Sequence, residues 1–327
     1  MQERVLGKTG REVSVVGLGT WQLGADWGEV AEADALATLE AAAQAGVTFL
    51  DTADVYGDGR SEQLIGRFLG ANPGLRMTVA TKMGRRVALD PALYTLDSFR
   101  KWTDRSRANL GVDTLDLVQL HCPPAPVYSS DAVYDALDTL VAEKRIAAYG
   151  VSVETCAEAL AAIARPGVAT VQIILNVFRR KPLEHVLPAA DAAGVGIIAR
   201  VPLASGLLSG RYTSDTTFAA DDHRNFNRHG EAFDAGETFS GVDFETGVQA
   251  AREFASFAPD GATPAQAALA WVIQQPGVST VIPGARSPEQ ARQNAAAAEL
   301  PPFTGDQLTA IEGSYDERIR AQVHNRW

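Results

Sequence analysis

Val47-Thr48-Phe49-Leu50-Asp51-Thr52-Ala53-Asp54-Val55-Tyr56-Gly57 is a short apolar run that ends on a carboxylate and delivers a phenol five residues later. Before it, residues 33–45 place Leu36, Leu39, Glu40 and Ala43 at helical spacing and stop at Gly46, a residue suited to a left-handed helix end. After it, Ser61-Glu62-Gln63-Leu64 opens a second helical stretch with Leu64, Ile65, Phe68 and Leu69 as its apolar stripe. A strand between two helices is the repeating unit of a parallel sheet covered on both faces.

The alternation continues in both directions. Strands are expected over 16–20, 48–51, 77–81, 115–120, 147–151, 170–175, 196–200 and 280–282. A pair of short strands around Arg4-Val5-Leu6 and Val13-Ser14-Val15, turned by Lys8-Thr9-Gly10, comes first. Further helical patterns cover 131–142, 155–164, 183–193 and 288–298, with another near 245–257. Eight strand–helix units closed on themselves predict an α/β fold, a (β/α)8 TIM barrel with an N-terminal β-hairpin closing its base. An open doubly wound sheet is the rival, and eight units weigh against it. The chain shows no repeat, low-complexity tract or linker, so one domain over 1–327 is expected. Residues 211–243 lack a clear period but include Asp221-Asp222-His223-Arg224-Asn225-Phe226-Asn227-Arg228-His229. A connection of that length is either functional or disordered, and this mixture of charges and aromatics reads as an ordered rim.

The chain has 327 residues, 46% of them hydrophobic and 21% charged, with 29 Lys and Arg against 40 Asp and Glu, a net charge of −11. That balance argues against a nucleic-acid or anionic-membrane partner, so an anionic ligand must be held by local basic groups. The first residues contain no apolar signal region and no apolar run reaches the ~18 residues that span a bilayer. Cys122 and Cys156 have no metal or redox spacing. The expectations are a cytoplasmic location and no membrane partner; oligomeric state leaves no trace in the sequence.

Three successive strand ends carry chemistry. Asp51 ends the first, with Tyr56 just beyond; Lys82 ends Met77-Thr78-Val79-Ala80-Thr81-Lys82; His121 ends Leu115-Asp116-Leu117-Val118-Gln119-Leu120-His121. Barrel enzymes place their active sites at these C-terminal ends. A phenol is a weak acid, with an ordinary pKa of ~10. A nearby ammonium should lower it, and a carboxylate should hold that ammonium in place. Such a group suits a reaction in which a carbonyl oxygen becomes an alcohol and needs one proton. No serine–histidine nucleophile motif competes, and no His, Asp and Glu cluster has metal-ligand spacing, so no metal is expected. The electron source must be a cofactor. Gly17-Leu18-Gly19-Thr20-Trp21-Gln22-Leu23-Gly24 has its third glycine misplaced for a dinucleotide fingerprint. Better anion sites are the small-residue loop Pro202–Arg211 and the segment Ile282-Pro283-Gly284-Ala285-Arg286-Ser287-Pro288, which leads into a helix N-terminus.

Taken together, Asp51-Thr52-Ala53-x-x-Tyr56-Gly57 with Ser61-Glu62, Thr81-Lys82, Leu120-His121, Gly150-Val151-Ser152, Pro202-Leu203-x-Ser205-Gly206 and Ile282-Pro283-Gly284 resemble the aldo-keto reductase superfamily across nearly the whole chain. The resemblance implies a catalytic tetrad of Asp51, Tyr56, Lys82 and His121. It also implies NADP(H), with NAD(H) possible, extended across the strand ends. Ser152 and Gln172 would hold the carboxamide, and Gly19, Thr20 and Trp21 would line the nicotinamide and substrate end. Leu203, Ser205, Gly206 and Arg211 would cradle the pyrophosphate. Gly284, Arg286, Gln290 and Asn294 would take the adenosine end, with Arg286 the candidate for a 2′-phosphate and Arg224 adding to it. Two positions depart from the family pattern: Val153 replaces an Asn common beside the carboxamide, and Arg200 replaces the aromatic ring that usually stacks on the nicotinamide.

The resemblance implies an NADPH-dependent reductase acting on a small-molecule aldehyde or ketone. An NAD(P)-dependent alcohol or sugar dehydrogenase is the first alternative. A cofactor-sensing subunit is the second, because the resemblance extends to potassium-channel β-subunits; those carry Asn at the position of His121. Trp21, Trp27, Met83 and His223–His229 are candidates to shape the substrate pocket. The tail Val323–Trp327 either folds over the site or frays.

Overall fold

The computed structural model describes residues 1–24 and 30–327, so Trp27 lies outside the described residues. Among the described residues there are ten strands: β1 (Glu3–Val5), β2 (Glu12–Ser14), β3 (Leu18–Gly19), β4 (Phe49–Asp51), β5 (Thr78–Met83), β6 (Leu117–His121), β7 (Tyr149–Ser152), β8 (Val168–Ile174), β9 (Gly196–Arg200) and β10 (Val278–Val281). β3 to β10 form one parallel sheet in chain order. Bridges Val16↔Val281 and Gly19↔Gly284 join its two edges, with Gly17 N–H donating to Val281 O at 2.8 Å and Gly19 N–H to Pro283 O at 3.0 Å. This closure makes the sheet a (β/α)8 barrel and removes the open-sheet rival.

The hairpin β1–β2 pairs antiparallel, Arg4 opposite Val13, as the sequence led us to expect. Leu6 and Val13 are fully buried and pack with Phe49, Ala80, Leu117, Ile198 and Ile282 as an apolar plug at the barrel base. Burying two such side chains contributes roughly 1.5–3 kcal/mol each. Apolar filling below leaves the barrel's polar side chains for the opposite end.

Helices cover the outside. Glu32–Gln44, Arg60–Ala71, Asp131–Ala142, Cys156–Ile163, Pro182–Ala193, Phe244–Ser256 and Pro288–Ala296 fall where the apolar periodicity placed them. Leu96–Leu110, Pro264–Ile273 and Gly305–Arg318 were not anticipated. The first is strongly polar and buries only Phe99, Thr103, Ser106 and Leu110. The second is buried from Ala267 through Ile273, so its apolar residues show no period to read.

Residues 211–243 are ordered as short turns: Ala235–Glu237, Phe239–Gly241 and a single helical turn at His223–Phe226. An aromatic group of Tyr212, Phe218, Phe239 and Phe244 holds this segment to the barrel, with ring centroids 5.1–6.2 Å apart. The tail does not fray. Trp327 Nε1 donates to Asp234 Oδ1 at 2.9 Å, and its ring lies 3.8 Å from the Arg179 guanidinium. It therefore braces the rim segment from behind.

Candidate active site

Asp51, Lys82 and His121 stand at or next to the C-terminal ends of β4, β5 and β6, and strand pairing fixes their relative height. Lys82 is the hub. Its Nζ donates to Asp51 Oδ1 at 2.5 Å, to Thr52 O at 2.9 Å and to Tyr56 Oη at 3.2 Å, which uses its three donors. Lys82 is 1% exposed and Asp51 3%, so this is a buried ion pair anchored by two further bonds. Across the barrel, Gln172 Nε2 donates to Asp51 Oδ2 at 2.7 Å and Gln119 Nε2 to the same oxygen at 3.3 Å. Both Asp51 oxygens are thereby satisfied, and the carboxylate cannot swing away from Lys82.

Tyr56 comes from the turn after β4, where Gly57 and Asp58 take left-handed φ of 58° and 53°. A Cβ on Gly57 would collide with the Gly24 carbonyl, so the glycine lets this turn pack close. The phenol's pKa is raised above its ordinary 10.0. Enclosure is the largest cause, Lys82 opposes it, and Asp51 adds to it. This corrects the sequence-based expectation of a lowered value: one ammonium shared with a carboxylate does not offset desolvation. Burial also opposes charge on Lys82, but Asp51 and Tyr56 outweigh it and its pKa is raised. His121 is pushed well below 6.5, first by burial and then by Arg85, Lys82 and Arg200. The site therefore holds a neutral phenol, an ammonium and a neutral imidazole whose ring stands edge-on to Tyr56 at 6.1 Å.

These groups sit at one end of a cleft of about 420 Å³. Every residue the sequence assigned to cofactor binding lines it: Gly19, Thr20, Trp21, Ser152, Gln172, Arg200, Leu203, Ser205, Gly206, Arg211, Arg224, Gly284, Arg286, Gln290 and Asn294. So do Asp51, Tyr56 and His121, whereas Lys82 acts from behind Tyr56. Ser205 and Gly206 turn with φ of 54° and 96°, and Ser205 Oγ donates to Glu237 O at 3.0 Å. A Cβ on Gly206 would strike the Tyr212 hydroxyl, and one on Gly284 the Gln22 amide. At the far end, Ser287 Oγ caps the Pro288–Ala296 helix by accepting from Gln290 N at 3.3 Å.

Some expectations about the pocket change. Met83 is 1% exposed within the core and does not line the cleft. Of His223–His229, only His223 and Arg224 line it, while Phe226 is 42% exposed. Arg224 is bound to Asp222 through Nε at 2.8 Å and also bonds the Tyr212 hydroxyl. Trp21, His223 and Phe233 form an aromatic wall, Trp21 lying 6.2 Å from the Tyr56 ring.

The sequence reading missed a charged cluster. Arg85 Nη2 lies 3.3 Å from Glu154 Oε1 and 3.3 Å from Glu237 Oε1; Arg200 Nη2 lies 2.7 Å from Glu154 Oε2 and its Nη1 3.5 Å from Glu237 Oε1. Four separate loops and strand ends supply these residues, so no local spacing could signal them. With Cys122, the two glutamates place ligand-type atoms within 4.8 Å of one another, a grouping that chain spacing concealed. The guanidiniums of Arg85 and Arg200 lie against both carboxylates. Just beyond Arg200, Val201 adopts φ of 52°, a strained state for a β-branched residue, held by Asn176 Nδ2 donating to its carbonyl at 2.8 Å.

The fold and the site define a parallel barrel with a cluster of ionisable side chains at the C-terminal rim of its strands. Residues 15–316 match the Aldo/keto reductase family. An uncharacterized oxidoreductase of Mycobacterium tuberculosis is 34% identical over 298 residues, 88% of this chain and 85% of that protein. The glycerol dehydrogenase of Gluconobacter oxydans superposes with a TM-score of 0.77 at 29% identity, covering 99% of this chain and 97% of that one. An aldo-keto reductase of Klebsiella pneumoniae, solved in complex with NADPH, gives 0.70 at 26% identity over 96% of both chains. The chain belongs to the aldo/keto reductase family and is an oxidoreductase. Among the described residues no helix is long and apolar enough to cross a membrane.

Proposed function

We propose that this chain is an NADPH-dependent reductase of aldehydes or ketones. One observation carries the reading: Lys82 Nζ holds Asp51, Thr52 and Tyr56 at once, leaving the Tyr56 hydroxyl as a neutral proton donor inside the cleft. The cleft fits an extended dinucleotide. Its volume lies in the range of small-molecule sites, ~300–1,000 Å³. The Ser205–Gly206 turn and Gly284 bring backbone close to the cleft, and Arg211, Arg224 and Arg286 line it despite the acidic chain. Klebsiella pneumoniae's NADPH-bound relative supports the same cofactor here.

When bound, NADPH would supply the hydride to the carbonyl carbon. Tyr56 gives its proton to the carbonyl oxygen. Lys82 stays charged through the step and stabilises the phenolate left behind. His121, neutral, orients the oxygen by hydrogen bonding rather than by donating charge. Ser152 and Gln172 would hold the carboxamide, with Gln172 Nε2 already donating to Asp51 Oδ2. Arg286, which lines the cleft, would take the 2′-phosphate. The test is NADPH oxidation across a broad carbonyl panel with NADH in parallel. Turnover with NADPH is expected; absence of both cofactor binding and turnover would refute the reading. The similarity to a glycerol dehydrogenase favours a second reading, NAD(P)-dependent oxidation of an alcohol or sugar, which the same cofactors with a polyol panel distinguish.

A further inference from the structure

Hydride must arrive at the carbon whose oxygen Tyr56 protonates, so the nicotinamide end of any dinucleotide lies at the Tyr56 end of the cleft. Arg200, at the end of β9, lines that same end beside Ser152 and Gln172, and its charge reaches His121. It is 8% exposed and its Nε has no partner. A buried guanidinium there bears unequally on the two redox states. The oxidised nicotinamide ring carries a positive charge and the reduced ring carries none, while the phosphates are the same in both.

Arg200 does not act alone. With Arg85 it brackets Glu154 and Glu237 in a ring of four charges. We propose that the Glu154–Glu237 pair sets how much more tightly this protein holds reduced than oxidised cofactor, by keeping or releasing one shared proton between the two arginines. This rests on the reductase reading above. With the proton present, two guanidiniums face one carboxylate and the cluster is net +1, which disfavours the oxidised ring. Once the proton leaves, the cluster is neutral and the oxidised ring is tolerated.

Several other groups face the pair. Cys122 lies beside both carboxylates, and burial keeps its thiol protonated by raising it to about 12. Arg179 donates to the Glu154 carbonyl at 3.0 Å, and Asp234 lies behind it on the rim segment. Tyr56 feels Glu237 from the catalytic end. Burial raises Glu154 to about 7, with Arg200 opposing and Glu237 adding. Burial also opposes charge on Glu237, but Arg200 and Arg85 outweigh it and hold that carboxyl low. The shared proton is therefore bound below neutrality and lost above it.

The test is the ratio of dissociation constants, Kd for NADP+ over Kd for NADPH, measured by titration from about pH 5.5 to about pH 8.5 around the expected ionisation. Phosphate contacts contribute equally to both constants and cancel. The ratio is expected to fall by about tenfold as pH rises, the effect of one charge some 10 Å away at an intermediate effective dielectric. In Glu154→Gln, which cannot lose the proton, it should stay high throughout. A second measurement needs only the wild type: calorimetry in buffers of different ionisation enthalpy at about pH 6 should show NADP+ binding releasing more protons than NADPH binding. A ratio constant with pH, equal proton release, or a wild-type slope kept by a folded Glu154→Gln would each overturn the proposal. Failure of both cofactors to bind would overturn the reductase reading instead.

Discussion

Two charged groups stand at the Tyr56 side of the cleft, and they are built differently. The Asp51–Lys82 pair stands on adjacent parallel strands, its geometry set by backbone registry, with Gln119 and Gln172 pinning the remaining carboxylate oxygen. The Arg85–Glu154–Glu237–Arg200 ring is gathered from the loops after β5 and β7, the end of β9 and the rim segment. Strand ends fix Asp51 and Lys82, and through Lys82 Nζ they hold the Tyr56 hydroxyl at 3.2 Å. Loops give a looser cluster whose charge can change without moving the donor. On the readings proposed above, the first group would carry the reaction and the second would bias cofactor binding.

The largest expected effect breaks the first group. Tyr56→Phe removes only the hydroxyl, so carbonyl reduction should fall by ~10²–10⁴-fold while NADPH still binds, as fluorescence titration would register. Unchanged turnover in that variant would remove the proton-donor assignment. Lys82→Met leaves Asp51 buried without its ion-pair partner, so denaturant unfolding should show a loss of about 3–5 kcal/mol. A much smaller loss would mean that the two glutamine bonds alone suffice.

The next test concerns pH. Because Tyr56 lies above its ordinary value and His121 well below its own, turnover at saturating cofactor and substrate should show no histidine step near 6.5. The phenol's protonated form is present below its folded pKa, so reduction should decline only on the alkaline side, above ~10. A turnover step near neutrality would mean that the glutamate ring reaches the chemical step rather than cofactor binding alone. The smallest effect probes the rim. Trp327→Ala removes a buried ring, its contact over Arg179 and the bond to Asp234, and should cost about 3 kcal/mol in unfolding. It should also raise the protease sensitivity of residues 211–243 without altering Lys82 and Tyr56; if proteolysis is unchanged, the aromatic group around Phe239 holds the segment without the tail.

Much of this was legible in sequence for a simple reason. A barrel repeats one strand–helix unit, each unit announces itself locally, and the tetrad residues fall on or beside those units. Asp51, Lys82 and His121 could be aligned because strand ends in a parallel barrel share one rim. Even the loops lining the far part of the cleft carried local marks, in the small residues of Pro202–Arg211 and in Pro283-Gly284 before a helix start. The polar Leu96–Leu110 helix and the wholly buried Pro264–Ile273 helix escaped because periodicity needs one wet face and one dry face.

What the sequence by itself determined is the barrel, the hairpin beneath it and which ionisable residues stand at its strand ends, all encoded within segments of about ten to thirty positions. Only the tertiary structure decided the charge state of those residues and the company they keep. It raised the Tyr56 pKa where the local pattern suggested lowering, because desolvation depends on everything packed around the hydroxyl. It carried Glu237 and Arg85, 152 residues apart, to 3.3 Å, and buried Met83 away from the pocket. Charges and solvent exclusion act through space, and distance in space is what a linear chain does not display.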